Sequence, residues 1–387
     1  APPAQNDLNT QLTLGAIVQA NFRPLFYPQF NPADFVPASP WAVGYTVAGP
    51  LVLSFVQWLA KQVKTDAIQR LFFLAREGEI LKIVYDLWTS EDPHAVASEY
   101  LVLSRRAVTV PMIANLDDIF TIAGTHYAPN PMPDFISERF GLHLSENECE
   151  ELAQRKLWPK KKPVTVKTGE IDHLKPLLQA LEKRILNQAE NERPGLMAYL
   201  QNIGFNPDTT AAIVDVGYAA TTQGKLNQLL TQKIHGYYMM TLDRAERIAS
   251  AHQVITQGYY CHYAKPSATE PVIYRKSFTI EKFLSADTAQ IISYHRDDYG
   301  NVLPEFRTQT PEERQSAETR AEIRRGIIDF TQQVVTIRDD LLPDIEIPPH
   351  IAESLFLAFV NNPSQSENNL LRSLVLDDYY YGHGLVR

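Results

Sequence analysis

The spacing of apolar and polar positions changes character along the chain. A nearly continuous apolar run from Ile68 to Ala75 predicts a short strand buried on both faces. After it, Ile80, Leu81, Ile83, Val84, Leu87 and Trp88 share one face of a predicted helix. Glu99 to Ser104 and Ala211 to Val216 predict two further buried strands. Ile234 to Leu242 and Ile255 to His262, rich in Tyr and β-branched residues, predict two more. From about Asp117 to Asn206 the pattern is helical and loop-like, with a basic run at Lys160, Lys161 and Lys162 and no clear strand. Beyond residue 300 it is mainly helical again, punctuated by Pro343, Pro348, Pro349 and Pro363.

This alternation predicts an α/β fold: a Rossmann-like, mainly parallel sheet core with a helical insertion and a C-terminal helical region. The expected division is an extended N-terminal lead-in over 1–40, the first part of the core over 41–116 and a mainly helical insertion over 117–206. The second part of the core follows over 207–300 and the helical region over 301–387. Residues 35–60 carry no charge, and Trp41 to Ala60 is long enough to span a bilayer. Gly44, Gly49 and Pro50 interrupt that stretch, and Thr46, Ser54 and Gln57 dilute it. It therefore reads as an extended lead-in followed by a buried helix from about Pro50 to Lys64, with Pro50 in the first turn.

The chain has 387 residues, 44% hydrophobic and 21% charged, enough to bury a core without disulfides or metals. A net charge of −9 argues against nucleic acid as a partner, although a local basic pocket can still take phosphate. Cys149 and Cys261 lie far apart with no CxxC spacing, which argues against a disulfide scaffold or a cysteine-based zinc site and fits a reducing, cytoplasmic setting. The chain opens on Ala1 with no signal-peptide pattern, and reads as a piece of a longer protein.

In open α/β sheets ligands bind beyond the carboxyl ends of the strands, and three predicted strand ends carry polar groups. At the first, Arg76 can fork two oxygens, Glu77 adds a carboxylate, and Gly78 lets the backbone approach a ligand at a helix start. A structural ion pair with Gly78 as a simple turn explains the same residues equally well. Arg105 and Arg106 end the second strand and point in different directions, so one faces the pocket while the other pairs with a carboxylate. The third reads strand, acid, small-residue loop and helix start: Asp215, Gly217, Tyr218, Ala219, Ala220, Thr221, Thr222, Gln223. Backbone N–H groups and Thr hydroxyls there can cradle a phosphate, and Asp215 can bind a diol, support a metal or act as a base. Thr221 as an N-cap and Asp215 as a turn residue is the plainer alternative.

Other constellations are weaker. A second aspartate two positions after Asp215, as a haloacid-dehalogenase phosphatase needs, is replaced by Gly217. The adjacent acids Asp117–Asp118, Asp297–Asp298, Asp339–Asp340 and Asp377–Asp378 read as solvated faces or caps rather than metal clamps. His126, His143 and His173 read as surface residues, while His295 sits in more polar company. Arg275, Lys276 and Glu281 form a secondary cluster in which Glu281 either faces the pocket or, more commonly for such a residue, makes a salt bridge.

Four motifs then occur in order: Gly44-Tyr45 with Gly49-Pro50-Leu51; Phe72-Phe73-Leu74-Ala75-Arg76-Glu77-Gly78; Tyr100-Leu101-Val102-Leu103-Ser104-Arg105-Arg106; and Val214-Asp215-Val216-Gly217-Tyr218 with Thr222-Gln223 and Leu226. From Trp41 to Tyr294 the chain resembles the module found beside haloacid-dehalogenase-like phosphatase domains in bacterial polysaccharide-assembly proteins, including the dual-domain ribofuranosyltransferases of O-antigen and capsule synthesis. The resemblance implies transfer of 5-phosphoribosyl from phosphoribosyl diphosphate to a hydroxyl of a growing, lipid-linked glycan, with diphosphate released. It also implies a haloacid-dehalogenase-like phosphatase partner, work at the cytoplasmic face of the inner membrane, and Mg2+ accompanying the diphosphate. On that pattern Arg76, Arg105 and Arg106 hold the diphosphate and Thr221, Thr222 and the neighbouring N–H groups the 5-phosphate. Asp215 or Glu77 binds the ribose hydroxyls or takes the acceptor's proton. Ordinary phosphoribosyltransferases have two adjacent acids in their donor loop, and here Val216 stands at the second. The competing expectations are a non-catalytic glycan-binding or phosphatase-docking module, and a transferase using a sugar nucleotide.

Overall fold

The computed structural model describes residues 8–22, 39–159, 161–265 and 271–386. In chain order its strands are β1 (Arg70–Leu74), β2 (Ala97–Leu101), β3 (Tyr127–Asn130), β4 (Val164–Val166), β5 (Ala211–Asp215) and β6 (Ile234–Leu242). β7 (Thr256–Ala264), β8 (Ile291–Arg296), β9 (Val302–Phe306), β10 (Leu376–Asp378) and β11 (Gly384–Val386) follow. Five of them form a wholly parallel sheet in the order β2-β1-β5-β6-β7. Helices Gly78–Trp88, Thr221–Leu230 and Asp243–His252 supply the β1–β2, β5–β6 and β6–β7 crossovers, and the long excursion between β2 and β5 is the insertion. The expected α/β core with a C-terminal helical region is thus the observed one.

The continuous apolar strands are explained by cover on both faces. Leu71, Phe73, Ala212, Val214, Tyr237 and Met239 pack into a core with helices Gly49–Thr65, Gly78–Trp88, Pro311–Asp340 and Pro349–Asn361. Phe72, Leu74, Ile213 and Tyr238 point the other way, against Val108, Leu196, Tyr199, Leu200 and Leu226. Helix Gly49–Thr65 is buried nearly all round as far as Ala60, as that uncharged stretch requires, and Lys61 and Lys64 stand at its exposed end. Its polar residues are satisfied inside the protein: Ser54 Oγ donates to Ile347 O at 2.7 Å, and Gln57 bonds Ile345 O and Ile347 N. Helical residues 40–65 are the one described segment long and apolar enough to cross a membrane, yet 89% of their most apolar window is buried within the protein. The residues before Gly49 are helical from Pro40 rather than extended. Close crossing over the C-terminal helix explains Gly44 and Gly326, since a Cβ on Gly44 would sit 2.0 Å from Ile323 O and one on Gly326 2.2 Å from Trp41 O.

Three expectations need correcting. The expected lead-in contains a helix, Leu8–Phe22, and its other parts, 1–7 and 23–38, lie outside the described residues. The insertion holds a strand pair, β3 with β4, too short to show as a pattern. Around it a separate core gathers Ile119, Phe135, Phe140, Leu152, Val164 and Leu178. Helix Lys175–Asn202 joins that core to the sheet, its first half packing in the insertion and Leu196, Tyr199 and Leu200 against the sheet. Finally, the run 99–104 expected as a buried strand is instead the edge strand β2, shifted to Ala97–Leu101 and buried only at Leu101. The C-terminal region is mainly helical, as expected. Strands β10 and β11 form an antiparallel pair, and the Tyr379–Tyr381 turn between them returns to the sheet's carboxyl edge.

Candidate active site

The carboxyl ends of β1, β2 and β5 open into one cavity of about 400 Å³. It brings together Arg76, Glu77, Arg105, Asp215, Gly217, Tyr218, Thr222 and Glu281, all of them expected from the sequence. The C-terminal strand β10 and the turn after it add Asp377, Asp378, Tyr380 and Tyr381.

Arg76 leaves β1 and pairs with Asp377, Nη2 to Oδ1 at 2.5 Å. Burial works against its charge, but Asp377, Glu77 and Glu313 hold the guanidinium above its ordinary range. Asp377 is itself nearly inaccessible and also pairs with Arg307 at 2.5 Å. Glu77 accepts from Ser285 Oγ and from the Arg76 backbone N–H at 3.2 Å. The Ala75–Arg76 and Gly217–Tyr218 peptide bonds are cis.

Arg105 and Arg106 separate as expected, and the structure identifies each. Ser104 caps a short helix, Arg105–Thr109, by accepting from Ala107 N–H at 3.0 Å. Arg105 turns into the cavity, with its guanidinium 5.0 Å from the Tyr381 ring centre and 5.6 Å from that of Tyr380. It makes no ion pair among the described residues. Arg106 turns away and forks buried Glu192 with two bonds of 2.7 Å, so it is a structural pair rather than a donor-binding residue.

Asp215 ends β5, its Oδ1 accepting from Val216 N–H at 2.8 Å. Burial first, then the charge of Glu77, pushes its carboxyl well above the usual range. Tyr218 OH donates to Glu281 Oε1. Burial, and next Glu77, pushes Glu281 up to about 7, so the carboxylate expected in a salt bridge sits instead in a tyrosine–carboxyl pair. Asp378 is likewise pushed up to about 7, chiefly by burial, with Arg105 opposing and Asp377 adding to the rise. Five carboxyls and two guanidiniums thus share one cavity. Groups poised near neutral pH can take or give a proton there, while Arg105 remains available to an anion.

Several expected residues are elsewhere. Gly78 allows close packing: a Cβ there would lie 2.6 Å from Phe73 C. Thr221 is exposed outside the cavity, because one helical step of about 100° separates it from Thr222. Gln223, two steps on, is fully buried and bonds Ile234 O, Ile255 O, Tyr238 OH and Thr256 Oγ1, so it holds the sheet together. Arg275, Lys276 and His295 do not line the cavity, and Arg275 and His295 are exposed. His126, His143 and His173 are exposed as expected.

Asp377 and Asp378, read from the sequence as solvated, are the main omission. Adjacent acids inside Leu374-Val375-Leu376-Asp377-Asp378-Tyr379-Tyr380-Tyr381, a run otherwise apolar and aromatic, were the available sign of burial. Among the described residues no three His, Cys, Asp or Glu side chains are grouped to hold a metal ion. No family model and no curated protein sequence matches the chain.

Proposed function

We propose that this cavity is the active site of a glycosyltransferase that moves 5-phosphoribosyl from phosphoribosyl diphosphate to a hydroxyl of a growing bacterial surface glycan, releasing diphosphate. The observation that carries the reading is the meeting of Arg76 and Arg105 with Glu77, Asp215 and Glu281 at three parallel strand ends. As the ribose C1–O bond breaks, its electron pair leaves with the diphosphate, and fixed guanidiniums at that end stabilise the developing charge. Arg105 serves directly; Arg76 serves once Asp377 yields to the incoming anion. Thr222 and the Gly217–Tyr218 segment receive the 5-phosphate. The acceptor oxygen bonds to C1 and its proton passes to a carboxylate. Glu77, already oriented as an acceptor by Ser285, is assigned that role. Asp215, whose carboxyl burial pushes well above the usual range, hydrogen-bonds the ribose hydroxyls.

Mg2+ fits as a companion of the diphosphate rather than as a protein-caged ion, since it is commonly held by one or two carboxylates together with substrate phosphates. The 5-phosphate left on the product requires a phosphatase, in keeping with a haloacid-dehalogenase-like partner. A lipid-linked acceptor would place the reaction at the cytoplasmic membrane face. Calorimetry with phosphoribosyl diphosphate and with sugar nucleotides tests the donor. Saturable binding of the former, lost in Arg105→Ala, is expected; preference for a sugar nucleotide, or no binding, overturns the assignment.

A further inference from the structure

Helix Ser277–Leu284 presents Ile280, Phe283 and Leu284 to the core, each about 1% exposed. Phe278 breaks that pattern. It is 51% exposed and lines the cavity, one helical turn before Glu281. Phe306, at the end of β9 and paired across the hairpin with Ile291, is 39% exposed and lines the same cavity. What sets these two rings apart from other exposed apolar side chains is that both line the same cavity as the carboxyls. The same lining includes the neutral polar residues Thr288 and Gln290.

Exposed rings beside neutral hydrogen-bonding groups have a specific chemical complement. One face of a hexopyranose carries axial C–H bonds, which are weakly positive and pack on the negative face of an aromatic ring. Its hydroxyls then need donors and acceptors around the ring's edge, which Thr288 and Gln290 supply. A phosphate would need cations at this spot, and an acyl chain would need a contiguous apolar lining without hydroxyl and amide groups. Phenylalanine also loses little rotamer freedom on contact, having two side-chain torsions.

We infer that Phe278 and Phe306 form the acceptor subsite at the mouth of the cavity, stacking a terminal hexopyranose of the glycan with one hydroxyl directed inward to the carboxylates. This deepens the transferase reading and rests on it for the word acceptor, although sugar binding itself can be measured independently. The probes are the methyl glycosides of glucose, galactose, mannose and N-acetylglucosamine, followed by saturation-transfer NMR on the whole chain. At least one is expected to receive saturation, to lose it in Phe278→Ala/Phe306→Ala, and to keep it in Phe278→Trp. Each single alanine variant should weaken sugar binding about tenfold and leave diphosphate binding unchanged. The inference is overturned if no probe binds the native protein, if the double variant binds equally well, or if diphosphate binding falls in parallel. It is also overturned if the variants impair only binding to phospholipid vesicles. Sugar binding through both rings by a protein that releases no diphosphate from any donor would leave the subsite standing and remove the transferase.

Discussion

Replacing Asp377 with Asn separates two roles of the C-terminal strand. The carboxylate is nearly inaccessible and bridges Arg76 and Arg307, each at 2.5 Å. Arg307 also pairs with Glu313 and lies 4.3 Å from the Tyr379 ring centre, so it keeps a partner when Asp377 is neutralised. Arg76 loses its ion pair. Breaking one side of a buried pair costs about 3–5 kcal/mol, and with Arg307 still compensated the lower end, about 3 kcal/mol, is expected in urea unfolding. The donor's diphosphate would then meet an Arg76 with no carboxylate to displace. We expect its affinity to rise about tenfold, a gain of about 1.4 kcal/mol. Free diphosphate at a hundred times Kd should return about 2.7 kcal/mol of the lost stability. The assay is urea unfolding of native and variant protein across a diphosphate titration. Equal stabilisation of both at every concentration would refute the placeholder role. Loss of diphosphate binding in the variant would show that Asp377 holds Arg76 in its binding geometry instead.

Four further substitutions separate scaffold from chemistry. Arg106→Ala leaves Glu192 buried and unpaired and should cost about 3–5 kcal/mol, whereas Arg105→Ala should change stability by under about 1 kcal/mol and abolish donor binding; paired melts and calorimetry distinguish them. Gln223→Ala removes four buried hydrogen bonds and should destabilise by about 2–4 kcal/mol while leaving the donor affinity of the folded fraction unchanged, read by the same two measurements. Glu281→Gln tests the tyrosine–carboxyl pair through pH. With the carboxyl raised to about 7 in the fold from 4.5 unfolded, the unfolded chain ionises first. Its contribution is therefore full below about pH 4.5 and is lost as pH rises to 7, at up to ~1.4 kcal/mol per pH unit. The variant should lose that slope in urea midpoints, and identical slopes in both proteins would count against the assignment.

Strands β1 and β5 and their carboxyl-end polar residues are readable in the sequence because strands covered on both faces leave continuous apolar runs, whereas β2, a half-exposed edge strand, lies two residues before the run that predicts it. The pocket's two halves differ in that respect. Arg76, Glu77, Arg105 and Asp215 are local to their strands and were found. Asp377, Asp378, Tyr380 and Tyr381 reach the pocket only because a chain segment some 160 residues beyond Asp215 folds back to it, which no local pattern encodes. The Arg105–Arg106 ambiguity was of the same kind, since the choice depends on Glu192 arriving from the insertion. Thr221 and Gln223 were misjudged because their helix's rotation about its axis decides which hydroxyl or amide faces the cavity. The strand pair β3–β4 was too brief to leave a period.

On the proposed reading, the three strand ends and strand β10 make one site that cleaves phosphoribosyl diphosphate at C1. The most direct measurement is phosphorus NMR of the protein with phosphoribosyl diphosphate and a defined glycan acceptor. Acceptor-dependent appearance of free diphosphate together with a new sugar 5-phosphate monoester signal, both absent in Arg105→Ala, is the expected result. Donor signals that persist unchanged with the native protein, or diphosphate release that Arg105→Ala leaves intact, would contradict it.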